Sequence, residues 1–206
     1  MDLVELILDE DNGLNGVYAI SIVDKPAIEA DFVHFSKGHE VAFTSLDTEK
    51  RLLLGPILIP NKPILRRDKD GNEFYAYLSA QTVERSAHLY QHQGLQNKST
   101  LEHEVKIEGV TLVETWIVED PEKDKTRAHM DGLPKGTWAG VMKVNNDQLW
   151  NEYVKTGYVN GFSIEGNYKA VERDTTKMSQ HGHIEDGILE CYEMLANGLI
   201  DLATRL

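Results

Sequence analysis

Short apolar runs rich in β-branched and aromatic residues recur along the chain, separated by turn residues. Val17-Tyr-Ala-Ile-Ser-Ile-Val23 stops at Asp24-Lys-Pro26 and predicts a strand with apolar residues on both faces, hence one that needs neighbours. Val41-Ala-Phe43 predicts a weaker strand, and Arg51 to Ile59 a strong one that bends at Gly55-Pro56 and ends before Pro60. Asp68-Lys-Asp-Gly71-Asn72 reads as a turn into a strand over Glu73 to Leu78. From Ser79 to about Gly94 the period becomes helical, with Ser79 or Thr82 as N-cap and Val83, Ala87 and Tyr90 on one face.

Leu101 to Ile107 and Val110 to Val118 are strand-like runs flanking Glu108-Gly109, a pair suited to a tight hairpin. Residues 119–136 are charged and punctuated by glycine and proline, which predicts an exposed loop. A strand over Thr137 to Val144 follows, then a short helix over Asn146 to Thr156 burying Leu149, Trp150 and Val154 and stopped by Gly157. Tyr158 to Tyr168 returns as a strand. The expectation is a mainly β (α+β) fold, a closed or strongly bent barrel with helices outside. Residues 1–171 would form this domain; residues 172–206 would form a polar linker and a C-terminal amphipathic helix.

Composition narrows the function. A chain of 206 residues accommodates one domain with a sizeable core. Its 34 acidic against 21 basic residues, net charge −13, argue against nucleic acid as a partner, because phosphate binding needs a basic surface. The single cysteine, Cys191, rules out an intramolecular disulfide and a four-cysteine zinc site, and its helical surroundings suggest a packed thiol in a reducing compartment. The N-terminus lacks a basic, then apolar, leader, and no run approaches the roughly 18–20 apolar residues that span a bilayer, so a soluble, unexported protein without a membrane partner is expected. Trp116, Trp138 and Trp150 fall on apolar faces and read as core residues.

Candidate chemistry centres on Gly161-Phe-Ser163-Ile-Glu165-Gly166. A serine hydroxyl becomes a competent nucleophile when a base within about 2.6–3.2 Å takes its proton, and His103 is the candidate base. The motif is not the elbow of the α/β-hydrolases, since its second glycine falls one place late and no helix follows. Were Glu108-Gly109 to close a two-residue hairpin, His103 would stand opposite Glu114, with Cβ atoms about 4.5–5.5 Å apart. That makes Glu114 the first candidate to orient the imidazole. Glu165, two residues from Ser163 and on the same strand face, is the alternative.

The series His103, Glu114-Thr-Trp116, Gly136-Thr-Trp138, Leu149-Trp150 and Gly161-Phe-Ser163, in that order, resembles the phage prohead (procapsid maturation) serine proteases, whose fold is shared with herpesvirus assemblin. The resemblance runs over most of residues 14–170 and implies a serine endopeptidase with Ser163 as nucleophile and His103 as base. It implies phage scaffold and major capsid proteins as substrates, action in the host cytoplasm inside the assembling procapsid, and self-cleavage as an added activity. Homo-oligomerisation is left open, and no cofactor or metal is called for. Many members place a strand reading roughly Glu-Val-Ser-Leu-Val, with Pro-Ala two residues on, after the nucleophile. Here Ala19-Ile-Ser-Ile-Val23-Asp-Lys-Pro26-Ala27 stands near the N-terminus, which resembles a circular permutation, with Ala19 in the place of the glutamate. Permutation would set residues 17–23 beside the Ser163 strand.

Two other readings start from the same residues. A catalytically inactive barrel could serve as a capsid scaffold or interaction module. His181-Gly-His183-Ile-Glu185-Asp186 offers imidazole and carboxylate ligands for a metal-dependent hydrolase, a second histidine of the assemblin kind, or a solvated turn before the last helix.

Overall fold

The computed structural model describes residues 3–9, 16–26, 33–34, 50–67, 71–130 and 132–172. The N-terminal part contributes strands β1 (Leu3–Ile7), β2 (Gly16–Val23), β3 (Val33–His34), β4 (Leu52–Leu58), β5 (Ile64–Arg67) and β6 (Glu73–Tyr77). Helix α1 (Ala80–His92) leads to β7 (Ser99–Leu101), β8 (Val105–Ile107), β9 (Val110–Ile117) and β10 (Trp138–Val144). Helix α2 (Asp147–Leu149) widens into a π turn over Trp150–Val154, and β11 (Gly161–Asn167) and β12 (Lys169–Glu172) follow.

These strands form three four-stranded sheets, ordered β12-β1-β6-β5, β3-β4-β10-β9 and β11-β2-β7-β8. The mainly β expectation stands, but none of the sheets closes, so the assemblin-like barrel is corrected to three open sheets. The physical reason is that an apolar strand reads alike in a closed and an open sheet: periodicity sets which face is buried, not which edge meets which. The outer strands carry edge-blunting features. β8 is three residues long and includes Lys106, and β9 bulges beside Val113, where its register to β10 shifts.

Sequence explains the packed interior. β2 lies between β11 and β7, so its near-continuous apolar run is covered on both edges and Ile20 and Ile22 are wholly buried. Helix α1 begins where the Ser79 side chain accepts a hydrogen bond from the Thr82 amide, and it buries Val83, Ala87 and Tyr90 at helical spacing. The Tyr90 ring meets Trp138 edge-on at 5.6 Å. Trp150, Val154 and Leu149 complete this core beneath Phe162, and Gly157, at φ +71°, ends the helical segment as its sequence predicts.

Two expectations fall differently. β2 and β11 are antiparallel neighbours with Ser21 opposite Ser163, as the adjacency expectation required. The hairpin expected at Glu108-Gly109 does not form: β8 pairs back onto β7, whereas β9 pairs with β10 in another sheet. Gly109, at φ +76°, turns the chain away, and its carbonyl accepts from the Asn145 amide at 2.6 Å. The expected strand Val41–Phe43, the linker and helix beyond residue 172, Cys191 and the His181 cluster lie outside the described residues.

Candidate active site

Ser163 sits on β11, flanked by Phe162, which is fully buried in the core, and is itself only 7% exposed. Strand alternation turns Ser163 and Glu165 to the face opposite Phe162. Register then carries that face across the sheet: Ser163 pairs with Ser21 on β2, and Ser21 pairs with Thr100 on β7. Directly paired residues share a face, so three hydroxyl residues form a row across three strands spaced by about 4.8 Å.

His103 lies just beyond this row, in the turn joining β7 to β8. The Glu104 amide bonds to the Leu101 carbonyl at 3.0 Å, and the two central residues, Glu102 and His103, hold φ +52° and +60°. This is the primed geometry that fits a twisted hairpin, but neither residue is the glycine or asparagine that adopts it readily, and each such backbone costs on the order of 1–3 kcal/mol. Bonds to β2 and to the residue that follows it offset that cost. The Glu102 amide donates to the Ile22 carbonyl at 3.1 Å, the His103 amide to Ser21 Oγ at 3.0 Å, and the Asp24 amide to Glu102 Oε1 at 2.6 Å.

The turn delivers the imidazole to Glu165. His103 Nδ1 stands 3.4 Å from Glu165 Oε1, and the same carboxylate oxygen accepts a hydrogen bond from Thr100 Oγ1. Glu165 is the more enclosed partner, its side chain 18% exposed against 41% for His103, so the acid is held while one edge of the ring faces outward. A contact of 3.4 Å is loose for a hydrogen bond and typical of an unliganded site. Chemically, a carboxylate at Nδ1 favours the tautomer with Nε2 free to accept a proton and stabilises the imidazolium that results.

Glu114 is elsewhere. It stands opposite Val141 on β10, and its carboxylate pairs with Lys125 Nζ, which also lies 3.7 Å from the centre of the Trp116 ring. The cross-strand placement that recommended Glu114 as His103's partner is therefore absent, because it rested on the hairpin that does not form. Trp116 is only partly buried, unlike Trp138 and Trp150, and its Nε1 donates to Asp124 Oδ2 at 2.9 Å. An open groove of about 570 Å³ over Glu114, Trp116 and Lys125 holds none of Ser163, His103 and Glu165. A smaller cavity of about 120 Å³ does touch Ser163, between aliphatic walls that include Leu6, Ile57, Leu58 and Ile164, with Arg66 also on its lining.

Ser21 and Thr100 were missed as site residues. Their sequence signal was faint: a hydroxyl inside the apolar run of β2, and a threonine three residues before His103. Among the described residues no group of three or more His, Cys, Asp or Glu side chains is placed to hold a metal ion, and no helix is long and apolar enough to cross a membrane.

No curated protein and no solved structure matches this chain. A family model does, over residues 40–172, a span that contains β4 to β12 and with them His103, Ser163 and Glu165. By that match the chain belongs to the family described as "Putative phage serine protease XkdF".

Proposed function

We propose that this chain is a serine endopeptidase in which Ser163 is the nucleophile, His103 the general base and Glu165 the acid that orients it. The observation that carries this reading is the Glu165 carboxylate at His103 Nδ1, two residues from Ser163 on the same face of one strand. Ser163 Oγ attacks the scissile carbonyl carbon while His103 Nε2 takes its proton, and backbone amides stabilise the oxyanion. The imidazolium, steadied by Glu165, returns the proton to the departing amine, which leaves an acyl-enzyme on Ser163. Water, deprotonated by the same imidazole, then releases the acid and restores the serine.

Membership of a phage serine protease family supports the protease role; for its substrates we infer scaffold and capsid proteins of the assembling procapsid, with self-cleavage in the same compartment. Confinement inside the host-cell procapsid would keep such a protease from other proteins. We also read the chain as circularly permuted relative to other prohead proteases, with β2 in the slot their last strand takes. Ala19, where that strand often carries glutamate, is paired with Glu165, so the acid is supplied by the neighbouring strand on the same face.

Co-expression with scaffold and capsid proteins tests the reading. Ser163→Ala and His103→Gln should each remove processing, a loss of about 10⁴-fold or more, while thermal unfolding stays near wild type. Processing by the alanine variant at the wild-type rate would leave only an inactive capsid module.

A further inference from the structure

We propose that Ser21 is a positioning residue for the base, acting through its hydrogen bond to the His103 backbone; this rests on the reading of Ser163, His103 and Glu165 as the catalytic set. Ser21 is 0% exposed, in a strand otherwise built from Val, Ile, Ala and Tyr between its end glycine and the following turn. A hydroxyl in such a place is unfavourable unless its hydrogen bonds are made. Ser21 makes them with the histidine loop: Oγ accepts from the His103 amide at 3.0 Å and donates to the Thr100 carbonyl at 3.4 Å.

The first of those bonds falls on a residue at φ +60°, a region uncommon for any residue but glycine. Without the acceptor, His103 has less reason to remain left-handed, and rotation of its backbone would swing the ring off Glu165. Ser21 lies directly across from Ser163, so one strand sets the distance from the nucleophile to the base's backbone. Ser21 also precedes the span matched by the family model, which begins at residue 40. The N-terminal strand is therefore part of the working site.

The first arm of the test does not depend on turnover. In ¹⁵N-histidine-labelled protein, the imidazole signals of His103, assigned by their loss in His103→Gln, are compared among wild type, Ser21→Ala and Glu165→Gln. Ser21→Ala should move them toward the Glu165→Gln values, and Ser21→Thr, which keeps the hydroxyl, should not. In the second arm, cleavage of capsid protein by Ser21→Ala should show kcat lowered about 10–100-fold with KM within about twofold, as for a catalytic group displaced by about 1 Å. Should Ser21→Ala fail to fold, Ser21→Cys, with a weaker acceptor, replaces it in both arms. Wild-type imidazole signals in the folded Ser21 variant would overturn the proposal. A shifted signal in a protein whose wild type cleaves nothing would instead uphold the role of Ser21 and sink the protease reading.

Discussion

Two polar clusters in this molecule each pair a glutamate with a nitrogen base, and they are built on opposite principles. The cluster on β9 joins Glu114, Trp116, Asp124 and Lys125, near one another in the chain, and the Glu114 and Lys125 side chains are each at least half exposed. The cluster on the β11-β2-β7 face draws Ser163 and Glu165, Ser21, and Thr100 with His103 from distant segments, and buries most of them. Water would satisfy the first cluster's groups if its contacts broke. For the second, water reaches the His103 edge and part of Glu165 but not Ser21 or Thr100, so those two hydroxyls depend on their partners. A fold gains little stability from such an arrangement, which is why the proposed chemistry is placed on the second cluster.

The sharpest way to break the comparison is to neutralise one glutamate in each cluster. Glu165→Gln should lower kcat about 10³–10⁴-fold, because the amide can present its carbonyl or its NH₂ to Nδ1 and no longer stabilises the imidazolium. Glu114→Gln should leave kcat within about twofold. Cleavage kinetics on the two purified variants decide it, and equal losses would mean that both carboxylates serve the reaction.

The contrast also marks what the sequence could reveal. Strand β2, the α1 stripe of Val83, Ala87 and Tyr90, and the helical stop at Gly157 were legible because each rests on local periodicity or on one residue's backbone freedom. Ser163 and His103 were singled out by motif order, and Glu165 by its position two residues along a strand. Glu114 was preferred because Glu108-Gly109 looks like a hairpin turn, and there the local signal misled: the chain makes its tight turn at Glu102-His103, residues with no turn preference, and holds it through bonds to β2. Long-range hydrogen bonds leave no local pattern. The same holds for β1 and β12, antiparallel partners from opposite ends of the described chain, and for the failure of the sheets to close.

Acid should separate the clusters next. Burial tends to raise the Asp124 carboxyl, but hydrogen bonds from the Thr126 hydroxyl and amide, and then from Trp116, outweigh it and hold the group below its ordinary value of 3.8. A pKa depressed by folding means that the ionised form favours the folded state. Its contribution is complete above the unfolded value and is lost as pH falls through the lower, folded one. Thermal unfolding of wild type should therefore lose stability below about pH 4 more steeply than that of Asp124→Asn. At neutral pH Asp124→Ala, which also removes the cap of the 3-10 turn over Lys125–Ala128, should cost about 1 kcal/mol. Parallel acid limbs for wild type and Asp124→Asn would show that the carboxylate is not what ties this loop down.

The smallest effect is expected at Lys125, although its charge meets two partners. The ammonium group meets the Glu114 carboxylate and the Trp116 ring, and its side chain is 50% exposed, with that of Glu114 at 57%. Solvent screens both interactions, and an exposed ion pair contributes about 0–1 kcal/mol, with an exposed cation over an aromatic ring adding about 0.5–1 kcal/mol. Lys125→Ala should thus change stability by no more than about 1 kcal/mol, less at high salt, and should leave cleavage unchanged. Denaturant unfolding at low and high ionic strength measures the first part, and kcat/KM the second. A tenfold fall in kcat/KM without loss of stability would mean that substrate reaches the groove over Trp116, joining two regions that the geometry keeps apart.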